Sequence, residues 1–126
     1  MNTTLNLFRE DGAALPWQVR RCDTFRCRLR GLMFRRALRP QEALLFMENI
    51  ESRVVTTIHM LFVFFPIGVI WLAADGTVVD KQLARPFRLY YAPRAPAQYY
   101  LEAAPEILDA ITLGERLFFP AVGLTG

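Results

Sequence analysis

The sequence feature that most constrains the fold is MLFVFFPIGVIWLAA, the uncharged stretch over residues 60–74. A transmembrane helix needs about 20 apolar residues. This run is shorter, and Pro66 and Gly68, which disfavour a helix interior, fall near its middle. Its side chains are mostly aromatic or β-branched, which favours strands. We therefore predict no membrane span but two buried strands, over residues 56–64 and 68–74, joined by a turn at residues 65–67.

Turn and helix signals place further elements around these strands. The Asp75–Gly76 pair is the strongest hairpin signal in the chain. Capping and spacing patterns predict two short helices, over residues 24–33 and 105–113. Further strands are predicted at residues 3–9, 15–22, 43–47, 77–79, 99–102 and 116–119, with a turn at residues 48–52 and an irregular loop at residues 85–97.

Strands joined by short turns, without βαβ alternation, are typical of antiparallel architectures. We therefore expect a mainly β (α+β) fold, an antiparallel sheet or partly closed barrel of seven to eight strands with two short helices. The 126 residues, of which 53% are hydrophobic, suit a single compact domain over residues 1–126. The first residues lack the apolar core of a secretory signal, so a cytoplasmic location is expected.

Positive charge is concentrated near the start of the chain. The net charge is +3 at pH 7, and nine arginines fall within residues 1–39. The guanidinium group is a planar fork suited to carboxylates and phosphates. A coding preference for arginine explains the same composition, so the charge pattern alone does not establish a binding role.

The chain has two cysteines, Cys22 and Cys27. Their spacing matches no zinc site, and no second pair completes one. Buried free thiols are the expectation, and a disulfide, which needs Cα atoms within about 7 Å, is the open alternative.

Several segments resemble a known family. They are CRLRGLMFR at residues 27–35, TIHMLFVFFPIGVIWLAADG at residues 57–76, YLE at residues 100–102 and LGERL at residues 113–117. In this order they are similar to the domain-of-unknown-function 192 family of small bacterial and archaeal proteins, over about residues 14–119. The resemblance implies a compact, mainly antiparallel β fold with short helices, and no established activity. That family often has an acidic residue where this chain has Gly68, so a functional carboxylate there would be lost in this member.

His59 is the only histidine of the chain. Imidazole serves as a base, a hydrogen-bond donor or a metal ligand, and Thr57 shares its face if the two lie on one strand. No neighbouring residue has metal-ligand spacing. The open interpretations are a hydrogen-bonded structural histidine, a ligand-binding residue and a catalytic base.

Arg30 and Arg35, in the basic segment over residues 28–36, are the other candidates. They either bind an anionic ligand or pair with an internal acid such as Asp75, Asp80 or Glu102. Asp75 is explained by turn chemistry, and Asp80 by an exposed strand end.

These patterns contain no assembled catalytic set, metal site or cofactor motif, so neither a cofactor nor a metal is expected. We expect a non-enzymatic binding or interaction domain for an anionic small molecule or an acidic partner segment. Its site would combine Arg30, Arg35, Thr57 and His59. The alternatives are a small hydrolase-like enzyme that uses His59, and weak nucleic-acid binding through the basic N-terminal third, which the small net charge disfavours.

Overall fold

The computed structural model describes residues 4–22, 27 and 31–120. Within them the chain forms eight strands and a single-turn helix, and Cys27 is also helical. The strands are β1 (Thr4–Leu5), β2 (Phe8–Arg9), β3 (Gln18–Arg21), β4 (Glu42–Ser52), β5 (Ile67–Leu72), β6 (Val78–Ala84), β7 (Ala97–Ala103) and β8 (Leu117–Phe118), and the helix is α1 (Ile107–Ala110).

Six strands form one sheet in the order β1-β3-β4-β7-β5-β6, and β2 and β8 form a separate antiparallel pair. Neighbouring strands are antiparallel except β3 and β4, which are parallel. The chain between β3 and β4, residues 22–41, is long enough for the crossover that a parallel pair requires. The fold is mainly β as expected, but the sheet is mixed, and in the described part of the chain it is open at β1 and β6 rather than closed into a barrel.

Strand β5, the second half of the uncharged stretch, lies inside the sheet and is buried along its whole length. Ile70 and Leu72 belong to the core on one face, and Val69 and Trp71 to the core on the other. A strand covered on both faces has no exposed side on which polar residues would alternate. The prediction of a buried strand here is confirmed.

The strand predicted over residues 56–64 is wrong. Ile58 makes an isolated bridge to Tyr91, and Phe62 has a left-handed backbone with φ of 57°, so the chain turns rather than extends. The indole Nε1 of Trp71 donates to the Thr56 carbonyl at 2.7 Å, which fixes this loop to the sheet. In the residues that the structure describes, no helix is long and apolar enough to cross a bilayer.

The hairpin predicted at Asp75–Gly76 joins β5 to β6. Gly76 has φ of 93°, a conformation that glycine adopts without strain, and the Thr77 amide donates to Asp75 Oδ1 at 2.9 Å. The Asp75 carboxylate therefore has the turn role expected from the sequence, and accepting the Thr77 amide lowers its pKa.

Other elements differ from the prediction mainly in length. The helix predicted over residues 105–113 is reduced to α1, and most of the helix predicted over residues 24–33 lies outside the described residues. The strand over residues 43–47 extends through the predicted turn to Ser52, with a register shift after Met47. The strand over residues 3–9 is divided into β1 and β2.

Cys22 and Cys27 form a disulfide, so the expectation of free thiols is wrong. Cys22 follows β3 and is fully buried. The two Cα atoms are 5.3 Å apart, which is within bridging distance.

Candidate functional site

The residues predicted as one site lie in two neighbouring depressions on the same side of the sheet. Arg35 lines a large groove, while Thr57 and His59 line a small cavity. Gly31 and Met33 contribute to both, so the segment around them separates the groove from the cavity. Arg30 lies outside the described residues.

The groove has a volume of about 940 Å³, which is within the usual range for small-molecule sites. Strands β3 and β4 contribute Arg20, Glu42 and Leu44 to its lining. The segment before β4 contributes Phe34, Arg35 and Arg39. The groove is therefore both basic and apolar.

Glu42 is the carboxylate at which the groove arginines meet. Arg35 donates Nη1 and Nη2 to its two oxygens at 2.9 Å each, and Arg20 Nη2 donates at 3.4 Å. The Arg39 backbone amide also donates to it, at 3.1 Å. The hydrogen bond from Arg35 holds the pKa of Glu42 below its usual value, against the opposing effect of burial. Glu42 thus stays ionised and fixes the direction of two guanidinium groups.

Several guanidinium donors in the groove remain unused. Each guanidinium has five N–H groups, and Arg35 and Arg20 direct only part of theirs to Glu42. Arg20 Nε is buried and has no hydrogen-bond partner in the described structure. The described lining of the groove contains three arginines, Arg20, Arg35 and Arg39, and one carboxylate, Glu42, so it has an excess of positive charge.

Arg35 does pair with an internal acid, as one of the two sequence interpretations expected, but the acid is none of the three examples Asp75, Asp80 and Glu102. Arg35 pairs with Glu42, which is seven residues away and begins β4. Asp80 pairs instead with Arg94, whose Nε lies 3.1 Å from its Oδ1. Asp80 is also 2% exposed, so its interpretation as an exposed strand end is wrong.

The small cavity, of about 120 Å³, contains the two remaining candidates. His59 is exposed at its rim, and its Nδ1 accepts a hydrogen bond from the Leu61 amide at 3.3 Å. Thr57 Oγ1 donates to the Arg53 carbonyl at 2.9 Å. Among the described residues, no Ser, Thr, Asp or Glu oxygen is hydrogen-bonded to the His59 ring. The nucleophile and acid that a hydrolase would need are not assembled on it.

Glu102 also lines this cavity, although the sequence suggested for it only the role of an ion-pair partner of Arg30 or Arg35. It lies on β7 between Leu44 of β4 and Val69 of β5 and is buried. Burial raises its pKa to about 8, so the carboxyl group is largely protonated at neutral pH. The available signal was an acid next to Leu101 at the end of the strand predicted over residues 99–102.

Among the residues that the structure describes, no three His, Cys, Asp or Glu side chains are grouped to hold a metal ion. The donors that do converge are guanidinium groups, which bind anions and do not bind metals. The chemistry that this part of the molecule supports is recognition of negative charge.

Fold and groove together define a small β-rich protein with one mixed sheet and an arginine-lined depression on one face. The chain belongs to the domain-of-unknown-function 192 family, described as "Uncharacterized ACR", whose model matches residues 7–119. It is 36% identical over 108 residues to a UPF0127 protein of Pyrococcus furiosus, covering 84% of this chain and 90% of that protein. It is also 36% identical to a UPF0127 protein of Thermococcus kodakarensis, covering 82% of this chain and 64% of that longer protein.

Two crystal structures show the same fold. One, from Sinorhizobium meliloti 1021, is described as a candidate transcription regulator; it has a TM-score of 0.80 at 22% identity and covers 95% of both chains. The other is a protein of unknown function from Novosphingobium aromaticivorans, with a TM-score of 0.78 at 20% identity, covering 94% of this chain and 85% of that one.

Proposed function

We propose that this protein is a binding domain that takes an anionic ligand in the arginine groove. The observation that carries the proposal is the excess of guanidinium donors around Glu42, including the buried Arg20 Nε that has no partner among the described residues. An unsatisfied buried donor is costly, and an anion in the groove would satisfy it. The ligand class is a carboxylate or phosphate, either on a small molecule or on an acidic protein segment.

Glu42 orients the arginines for this role before a ligand arrives. Arginine loses much side-chain freedom when it is fixed on a ligand. The ion pair between Arg35 and Glu42 is already formed, and Arg35 is half-buried. Part of the side-chain entropy of Arg35 is therefore lost on folding, and less is lost when a ligand binds. Leu44, Met33 and Phe34 add apolar contact area, which favours an anion attached to an apolar body.

The proposed site contains Arg35, while Thr57 and His59 belong to the adjoining cavity, a short distance along the same face. We propose that these two residues contact only a ligand long enough to pass over Gly31 and Met33. We do not propose the hydrolase-like alternative, because the hydrogen bond described for the His59 ring is to the Leu61 backbone amide and not to a nucleophile or an acid.

Nucleic-acid binding is also less well supported than an anion groove. Phosphate neutralisation needs many unpaired basic groups on one surface. Arg9 pairs with Glu115, and Arg20 and Arg35 pair with Glu42. The likeness to the described transcription regulator is at 22% identity and supports the fold alone.

The experiment is an NMR titration of the protein with acetate, citrate, benzoate and inorganic phosphate. Amide shifts concentrated at residues 31–44 with saturation are the expected result. Arg39→Gln removes a groove guanidinium whose side chain makes no described ion pair, and it should weaken binding at least about tenfold.

Arg116→Gln is the matched control, because Arg116 is a partly exposed arginine that precedes β8, outside the six-stranded sheet, and does not line the groove. It should leave the affinity within about twofold. Shifts spread evenly over all arginine-bearing segments, or equal losses in both variants, would show charge attraction without a site.

A further inference from the structure

Beside the groove lies a cluster of exposed aromatic rings, which we name the phenylalanine platform: Phe34, Phe62, Phe64 and Phe87. Phe34 stacks on Phe62 with centroids 5.0 Å apart, and Phe87 contacts both Phe62, at 6.2 Å, and Phe64, at 5.5 Å. The four side chains are 46–54% exposed. A contiguous exposed apolar surface of this kind typically marks an interaction site.

The platform is held in place by strained backbone. Phe34, Phe62 and Phe87 have φ values of 65°, 57° and 65°, which are rare for bulky side chains. Backbone hydrogen bonds fix them, from the Phe34 amide to the Phe62 carbonyl and from the Phe87 amide to the Met60 carbonyl, each at 2.8 Å. Strain of this kind is retained where a surface must keep one shape for its function.

The chain that carries the platform rings is basic. Residues 34–41, 59–66 and 85–91 contain five arginines and no aspartate or glutamate, and Glu42, which follows the first of these segments, is paired with Arg35. Arg36, Arg85 and Arg88 on these segments are exposed. A partner that covers the rings therefore meets positive charge at the edges.

From these observations we infer that the platform docks a segment of another protein that carries both acidic and apolar side chains. The inference rests on the proposed anion groove, because Phe34 belongs to the platform and also lines the groove. Apolar side chains of the segment pack on the rings, and its carboxylates reach Arg35 and Arg39. The two features form one continuous surface.

A protein segment fits this surface better than an anionic bilayer does. Membrane-binding residues project into the lipid and need no fixed arrangement among themselves. Here the rings pack against one another, about half of each is covered, and hydrogen bonds fix their backbone. A preformed surface reduces the entropic cost of docking a shaped partner.

The test uses a displayed library of random linear peptides selected against the immobilised protein. The Phe62→Asn/Phe87→Asn double variant serves as the counter-selection, because asparagine tolerates positive φ and so keeps the backbone while removing the rings. Leu113→Asn, at an exposed apolar residue remote in sequence from the platform, is the matched control. Thermal melts of all variants verify folding.

The expected result is a set of peptides rich in acidic and large apolar residues, bound at least tenfold more weakly by the double variant and within twofold by Leu113→Asn. Peptides without acidic enrichment, or no loss in the double variant, would overturn the inference. Sedimentation with phosphatidylserine vesicles that depends on Phe62 and Phe87, without peptide binding, would assign the surface to a bilayer instead. Acetate and citrate shifts at residues 31–44 without any selected peptide would leave the anion groove supported and refute the platform.

Discussion

Arg35 forms a two-pronged hydrogen bond with Glu42, with Nη2 to Oε1 and Nη1 to Oε2 both at 2.9 Å. The pair connects the segment before β4 to the first residue of that strand. The two side chains are 28% and 13% exposed, so the interaction is better shielded from solvent than a surface ion pair. This ion pair therefore attaches the segment that carries Arg35 to strand β4 of the sheet.

Glu42→Gln should destabilise the protein by about 1–2 kcal/mol at pH 7, because it removes the negative charge that accepts the two hydrogen bonds from Arg35. Since Arg35 lowers the pKa of Glu42 in the folded state, the stabilisation is present above the unfolded-state pKa of a glutamate and is lost as pH falls through the folded-state value. Urea unfolding from pH 7 down to acid should show the two proteins converging.

Glu106→Gln is the control for this series, because Glu106 is exposed and makes no described side-chain hydrogen bond. Its unfolding free energy should follow that of the parent at every pH. If the difference in unfolding free energy between the parent and Glu42→Gln stays constant down to acid pH, the charge of Glu42 does not contribute to stability.

Sequence patterns predicted β5, the hairpin after it and the position of Glu102 in a strand, because burial and turn chemistry are local signals. They did not predict the parallel pairing of β3 with β4, although a helix was expected over residues 24–33 in the crossover between them, because local spacing does not give the direction in which two strands pair. They also placed Arg35 against distant acids when its partner begins the next strand. The apolar residues of the loop over residues 56–64 predict a strand because they pack on the core as those of a strand would, while the turns of the loop depend on the positive φ of Phe62. Side-chain pairing and left-handed phenylalanines arise from tertiary contacts, which a single sequence does not display.

We expect the raised pKa of Glu102 to make stability fall as the solution becomes more alkaline. Its pKa is about 8 when folded and near 4.5 when unfolded, so the folded state holds the extra proton between these values. Stability is therefore lost as pH rises through that window and is constant above it. Glu102→Gln, which stays neutral, should be more stable than the parent by up to about 4 kcal/mol at pH 9 and about equal at pH 4.

Chemical unfolding at pH 4, 6, 8 and 9 measures this effect, with Glu106→Gln again as the control. If the unfolding free energies of the parent and of Glu102→Gln change in parallel from pH 4 to pH 9, Glu102 is ionised in the folded protein and the cavity contains a charge.

Trp71 connects the sheet to the loop that carries His59. Trp71→Phe keeps an aromatic ring in the core but removes the Nε1 donor, which leaves the Thr56 carbonyl without its 2.7 Å partner and opens a small void. We expect a loss of about 2–4 kcal/mol. Trp17→Phe is the comparison, because Trp17 is only partly buried and should cost much less. Unfolding in guanidinium chloride, with equal denaturant slopes for both variants, measures the two losses of unfolding free energy. Equal losses in Trp71→Phe and Trp17→Phe would contradict the anchoring role of Trp71.

Gly68 lies where α1 packs on β5, and the structure gives the physical reason for a glycine at this position. A Cβ there would lie 2.7 Å from Ile107 Cγ2 and 3.0 Å from Leu108 Cγ, so α1 packs directly on the backbone of β5. Gly68→Ala should therefore cost about 1–3 kcal/mol by overpacking. Gly68→Asp should cost more, since it also buries a carboxyl group against apolar side chains.

A double-mutant cycle separates overpacking from any effect on the unfolded chain. Ile107→Ala removes the methyl group that the new Cβ would meet, at the cost of a cavity. If the clash is the cause, Gly68→Ala/Ile107→Ala should be less destabilised than the sum of the single variants by about 1 kcal/mol or more, as thermal and urea unfolding would show. Additive losses would mean that α1 moves away freely and that glycine at this position is not required for helix packing.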